Sequence, residues 1–187
     1  MLDDIRDFLV AHPGAVLLVI NQDYVSPEDF VGAVRDAGLE DLVYRGPTRG
    51  AWPTLGRMID RDERVVFLAE NRAGAAPWYH PAYRRITQET PYSFTEVGEL
   101  TRRDELLDSC EPNRGPGDAP IFLMNHWITT DPLPLPSNAA RVNAYEPLLR
   151  RARECERLRK HLPNLLAVDF YREGDLFRVV DRLNGVR

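Results

Sequence analysis

The chain has 187 residues, a net charge of −5, 43% hydrophobic and 28% charged residues, and its longest unbroken apolar run is Ala15 to Ile20. A bilayer span needs ~20 apolar residues and a secretory signal opens on a basic stretch, so neither a span nor a retained signal is expected. Disorder and a disulfide-only scaffold are excluded in favour of one core that buries roughly 70% of the unfolded surface, and an acidic chain with scattered basic residues argues against a nucleic-acid partner.

Leu2 to Ala11 places Leu2, Ile5, Phe8 and Leu9 at helical spacing behind acidic Asp3 and Asp4, and His12-Pro13-Gly14 stops it. Ala15 to Ile20 is a strand-length apolar run, the pattern of a parallel strand covered on both faces, and Asn21-Gln22-Asp23 follows it. Ser26-Pro27-Glu28-Asp29 combines an N-cap, a first-position proline and early acidic residues, starting a helix that Gly38 ends. Thr54 to Asp60 reads as a short helix. Arg64 to Ala69 reads as a strand that delivers Glu70, Asn71 and Arg72. Pro120 to Met124 is the next strand, delivering Asn125 and His126. A helical stretch from about Ala139 to Leu162 follows, with Pro147 set to kink or restart it. Leu165 to Val168 is the last strand, ending in Asp169-Phe170-Tyr171, and Gly174-Asp175 leads into a closing helix with Leu176, Val179, Val180 and Leu183.

Strands alternating with helices indicate an α/β fold with parallel strands. Two connections are long. Residues 72–100 gather Trp78, Tyr79, Tyr83, Tyr92 and Phe94 among prolines, and 127–138 carries Pro-Leu-Pro-Leu-Pro. The aromatics either serve a site or cap the sheet, and the proline segment is either a stiff spacer or a polyproline ligand. Polar groups just past the carboxyl ends of parallel strands converge on one side. Asn21, Gln22 and Asp23, then Glu70 and Asn71, then Asn125 and His126, then Asp169 and Tyr171, occupy such places on four strands. Each residue has the alternative role of capping the following helix; four strands together point to a polar cleft.

Dinucleotide, Walker and nucleophile-elbow motifs are missing, and His12, His80, His126 and His161 lack paired zinc spacing. His12 and His161 lie near helix ends, where capping accounts for them. Cys110 and Cys155 suit either two reduced buried thiols or a bridge closing a loop of about 45 residues, worth up to ~4 kcal/mol, in a secreted protein.

Trp52-Pro53-Thr54-Leu55 with Met58-Ile59, Phe122 to His126, Pro163 to Tyr171, and Leu183-Asn184-Gly185 together resemble the later part of phosphatidylinositol-specific phospholipase C X-domain-like proteins of the PLC-like phosphodiesterase superfamily. The resemblance implies a distorted TIM-barrel-like (β/α)8 fold that cleaves a phosphodiester. In that family one histidine acts as base on the inositol hydroxyl and a second protonates the leaving alcohol, giving a cyclic phosphodiester, while an Arg or calcium stabilises the phosphoryl charge. Those histidines lie on early strands of the family barrel and are expected upstream of Met1. A full barrel has eight strands and ~250 residues, so four strands imply its second half, as one domain over residues 1–187.

The strand ending at Ile20 matches one whose terminal carboxylate helps hold calcium in metal-using relatives, and here only Asp23 of Asn21-Gln22-Asp23 is anionic, a poor set for a tight site. Asn125, His126, Asp169 and Tyr171 match pocket-facing positions. The expected ligand is a phosphodiester or phosphoinositide-like head group, and the expected location of the parent protein is secreted or cell-envelope. The alternative is a non-catalytic domain that binds a polyol, sugar or phosphorylated head group. A half-barrel leaves two strand edges open, at Ala15–Ile20 and at Leu165–Val168, for the N-terminal half or a second copy.

Overall fold

The computed structural model describes residues 1–22 and 24–186 and divides the chain into two units, Met1–Ile86 and Thr87–Arg187. In the first, α1 (Leu2–Ala11) buries Leu9 and is capped by His12, whose Nδ1 lies 2.9 Å from the Phe8 carbonyl. β1 is Leu17–Asn21, two residues later than the apolar run suggests, and it takes in Asn21 as its last residue. α2 (Pro27–Asp36) starts as its sequence dictates: Ser26 Oγ accepts the Asp29 N–H at 3.1 Å and Pro27 occupies the first turn, while Phe30, Val31 and Val34 are buried. α3 (Leu55–Asp60) is capped by Thr54 Oγ1, which accepts the Arg57 N–H at 3.3 Å.

β2 (Val65–Ala69) is buried throughout and pairs in parallel with β1, Leu17 opposite Val65 and Asn21 opposite Ala69. Arg64 sits just outside the strand. Its guanidinium donates to the Leu9 carbonyl at 2.7 Å and so ties the end of α1 to the sheet. β1 was expected to be covered on both faces, yet all five of its residues are only partly buried, because it is the edge of the order β1-β2-β3. Alternation assigns the faces: Leu17, Val19, Val65, Phe67 and Ala69 pack with Leu9, Phe30 and Val34 of the helices, and Leu18, Ile20, Val66 and Leu68 take the other face.

The stretch 72–100, read from sequence as one long connection, contains β3 (His80–Pro81), α4 (Ala82–Arg85) and β4 (Thr87–Glu89) and runs into α5 (Val97–Thr101). The described residues therefore hold six strands where the sequence shows four. Strands of two or three residues are too short to show a period of two, and Gln88 and Glu89 have none of the β-branched character that marks a strand.

The second unit carries β4, β5 (Ile121–His126) and β6 (Leu165–Val168) in that order, all parallel. The outer edge of β4 is covered by backbone: Glu89 N–H donates to the Arg114 carbonyl at 3.0 Å, and Asn113 N–H donates to the Glu89 carbonyl at 3.1 Å. Gly115 permits this approach, since at φ 81° a Cβ there would lie 1.9 Å from the Thr87 carbonyl oxygen.

The stretch read as one helix from Ala139 to Leu162 is two, α6 (Pro136–Val142) and α7 (Tyr145–Arg159). The break falls at Asn143-Ala144, and Pro147 sits in the first turn of α7, where its missing N–H costs nothing. α8 (Leu176–Leu183) closes the chain. Phe122 and Met124 pack against Leu148, Ala152 and Cys155 of α7 and Val179 of α8. Cys155 is bridged to Cys110, with Cα atoms 5.0 Å apart. The fold class is thus α/β with two parallel three-stranded sheets. No described helix is long and apolar enough to cross a membrane.

Candidate functional site at the strand ends

The two faces of the second sheet have opposite chemistry. Phe122 and Met124 face the helices, so Ile121, Leu123 and Asn125 face the other way, together with their register partners Thr87 and Glu89 on β4. At the carboxyl end of that second face Glu89 is 1% exposed and held by three side chains. Arg114 donates from Nε to Oε1 at 2.5 Å and from Nη2 to Oε2 at 3.3 Å; Asn113 Nδ2 donates to Oε1 at 2.9 Å; Asn125 Nδ2 reaches Oε2 at 3.3 Å and the Thr90 carbonyl at 2.8 Å. The Arg114 guanidinium, one third exposed, also lies over the Tyr92 ring at 5.2 Å. A buried carboxylate thus fixes a rim arginine stacked on a part-exposed tyrosine, an arrangement suited to a polyol or phosphate group. Glu89, Asn113 and Arg114 were not picked from sequence. Nothing local marks them, because the pairing depends on a loop 24 residues on returning to the strand edge.

His126, read from sequence as a strand-end group, is the last residue of β5 and lies on the helix side with no solvent exposure. Its Nε2 is 2.9 Å from the Val142 carbonyl and its Nδ1 is 3.0 Å from Arg151 Nη1. A carbonyl only accepts and a guanidinium only donates, so the ring is the neutral Nε2–H tautomer. Burial, reinforced by the Arg151 charge, pushes its pKa down to about 3.

Arg151, fully buried on α7, donates to Ser109 Oγ at 2.8 Å, the Ser109 carbonyl at 2.7 Å and the Asn125 carbonyl at 2.7 Å, and stacks over Phe94 at 5.0 Å. Burial lowers its pKa to about 9, still above neutrality, so it stays charged. The sequence did carry a signal for it: Arg151 falls in the Leu148, Ala152, Cys155 stripe that forms the buried face of α7.

Asp169 follows β6 and is half-buried. Its carbonyl accepts from Asn143 Nδ2 at 3.0 Å, and the same amide donates to the Glu173 carbonyl at 3.2 Å. Gly174, at φ 86°, lies so close to Asn143 that a Cβ would stand 2.6 Å from its carbonyl oxygen. Asp175 N–H donates to that carbonyl at 2.9 Å and Asp175 Oδ2 accepts the Tyr145 N–H at 3.1 Å, so the 169–175 loop is pinned to the α6–α7 break. A cleft too tight for a water-sized group lies there, lined by Trp127, Ile128, Leu135, Asn143 and Asp169 among others. Tyr171 is 49% exposed and meets Phe177 edge-on at 6.2 Å, outside that pocket lining.

In the first unit Asn21 has the parity of Leu17 and Val19, and its Nδ2 donates to Tyr79 Oη at 2.9 Å beneath the Phe30 ring. It braces the helix-side core. Gln22 and Asn71 are exposed and Glu70 is half-buried. Asp23 lies outside the described residues. His80, opposite Leu68, shares the face away from the helices, and burial lowers its pKa. No group of three His, Cys, Asp or Glu among the described residues is placed to hold a metal ion. With Asn21 committed to Tyr79, the described donors at the end of β1 do not fit calcium, and no step is routed through it.

Comparison with known proteins points one way. The family model described as PI-PLC X 1 matches residues 1–184. A protein named PI-PLC X domain-containing protein 1, from Arthroderma benhamiae, is 26% identical over 203 aligned residues, covering 99% of this chain and 64% of that protein's own length. The chain therefore spans less than two thirds of that relative. No solved structure matches.

Proposed function

Because this chain belongs to the PI-PLC X domain family, we propose that it is part of a phosphoric diester hydrolase of the phospholipase C type and forms the head-group-recognising portion of a (β/α)8 barrel domain. Two parallel three-stranded sheets, in each of which the strands pair with their neighbours in chain order, support this reading. The observation that carries the reading is the Glu89–Arg114–Asn125 cluster at the carboxyl end of β4 and β5, the side on which barrel enzymes place substrate. In this reading Arg114 and Tyr92 meet the head group while Glu89, Asn113 and Asn125 hold the guanidinium in place.

General acid and base, each worth ~10² to 10⁴ in rate, are assigned to histidines outside residues 1–187, on sequence that precedes this segment or on another chain. The support is the placement of the four present. His12 caps α1, His161 Nδ1 lies 2.8 Å from the Leu162 carbonyl, His80 stands singly on β3, and His126 is buried and neutral. The same placement favours the second reading, a domain that binds a polyol, sugar or phosphorylated head group without turnover.

The test is release of cyclic phosphate from phosphatidylinositol and from glycerophosphoinositol, with and without calcium. The 187-residue chain is expected to show none. Adding a family N-terminal segment with two strand-end histidines restores turnover under the first reading and leaves it at zero under the second. Robust turnover by the chain alone, lost in His126→Ala, would sink both. We assign the parent protein to a secreted or cell-envelope location on the strength of the Cys110–Cys155 bridge.

A further inference from the structure

Arg114 is presented by a stretch of chain with no regular structure of its own. Residues 111–119 contain Pro112, Gly115, Pro116 and Gly117 and form neither helix nor strand. Such a stretch takes its shape from whatever grips it, and here β4 and α7 both do. Alternation sends Gln88 and Glu89, neighbours on β4, to opposite faces of the sheet. Glu89 grips the middle of the stretch at Asn113 and Arg114, through its carboxylate and through its backbone.

Gln88, opposite Phe122 in register and so on the helix side, is fully buried and grips the far end. Its Nε2 donates to the Gly117 and Ala119 carbonyls, each at 2.9 Å, and its Oε1 accepts from Arg159 Nη2. The amide has one orientation, since reversing it would set an oxygen against two carbonyls and an NH2 against a guanidinium. Arg151, Cys155 and Arg159 follow one another at four-residue spacing along one side of α7. Arg151 donates to Ser109 and Cys155 is bridged to Cys110, which fixes where the stretch begins. Arg159 reaches both ends: its Nη1 donates to the Cys110 carbonyl at 3.4 Å, and its Nη2 holds the Gln88 amide. Its guanidinium lies over the Phe122 ring at 5.1 Å.

We propose that Gln88 and Arg159 are positioning residues for Arg114. They hold the two ends of the 109–119 segment so that residues 113–115 lie along the edge of β4 and the Arg114 guanidinium rests on Glu89 and over Tyr92 before a ligand arrives. Fixing a rotamer-rich side chain in advance lowers the ordering cost of binding. The inference rests on the reading of Arg114 as a residue that meets the head group, and adds two residues that act on the ligand through Arg114 from the helix side of the sheet.

The test uses the 187-residue chain, with glycerophosphoinositol as the probe in calorimetric titration and the order parameter of the Arg114 Nε–H from 15N relaxation as a second readout. Gln88→Leu strips two buried carbonyls of their donor and threatens the fold, so the main variant is Arg159→Met, at a part-buried position, which keeps an apolar stem beside Phe122. Arg159→Met is expected to lower the Arg114 order parameter, to weaken glycerophosphoinositol binding roughly tenfold, and to have no further effect on binding in an Arg114→Ala background. Suppose instead that Arg114→Ala weakens binding while Arg159→Met leaves the Arg114 order parameter unchanged, or weakens binding equally in both backgrounds, as loss of a distant positive charge would. The positioning role is then wrong and the head-group reading stands. If Arg159→Met loosens Arg114 and neither Arg159→Met nor Arg114→Ala changes binding, the grip on Arg114 stands and the head-group reading falls. If the unaltered chain does not bind the probe, the head-group reading falls and the order parameter alone decides the positioning.

Discussion

Acidification should unfold the second unit through one residue, His126. In the unfolded chain a histidine titrates near 6.5, whereas the folded ring is held neutral to about pH 3 by burial first and by Arg151 second. Between those values the unfolded state binds the extra proton, so stability is fully present above pH ~6.5 and is lost as pH falls toward 3. Each pH unit in that window removes up to about 1.4 kcal/mol, of order 5 kcal/mol over the whole range, which rivals the stability of an ordinary domain.

Thermal melting between pH 7.5 and 4 should show the midpoint falling, while 15N spectra of the folded protein at pH 5 should show His126 neutral and protonated on Nε2. Arg151→Met should cost about 3–5 kcal/mol at neutral pH, because the Asn125 and Ser109 carbonyls and His126 Nδ1 lose their donor together. It should also raise the His126 pKa, though not to 6.5, since the larger cause, burial, remains. A His126 that titrates near 6.5 in the folded state, or an Arg151→Met variant that loses less than about 1 kcal/mol, would refute the account of this cluster.

Three further outcomes are expected. Thiol titration of the native chain should find no free cysteine, and the Cys110→Ala, Cys155→Ala double variant should lose about 2–4 kcal/mol in urea unfolding; free thiols after oxidative refolding would remove the bridge and the argument for export. Gly115→Ala should destabilise by more than about 3 kcal/mol because its Cβ meets the Thr87 carbonyl, while Gly32→Ala on α2, with open space around it, should be neutral or stabilising by up to about 1 kcal/mol; equal effects in calorimetry would contradict the close approach. The chain alone should self-associate through its edge strands β1 and β6, and Ile20→Lys on β1 should reduce this in light scattering; a concentration-independent monomer would count against the open-edge reading.

The four apolar runs that became β1, β2, β5 and β6, and the cap Ser26, were legible in the sequence, because each depends on a period or a hydroxyl within a few residues of the element it defines. The ordered motifs from Trp52 to Gly185 likewise revealed the family. The sequence also placed Asn125 and His126 side by side at a strand end, but only alternation against a known helix layer shows that the first faces Glu89 and the second faces Arg151. β3 and β4 lay hidden in a proline-rich connection, since a strand of two or three residues exists by virtue of the neighbour that pairs with it and has no pattern of its own. Arg114 closing on Glu89, and Asn143 left with a buried unpartnered oxygen, were decided by tertiary structure alone. The energy of a buried charge or amide depends on which groups the fold brings within 3 Å of it, and chain separations of 25 or more residues leave no trace of that in local composition.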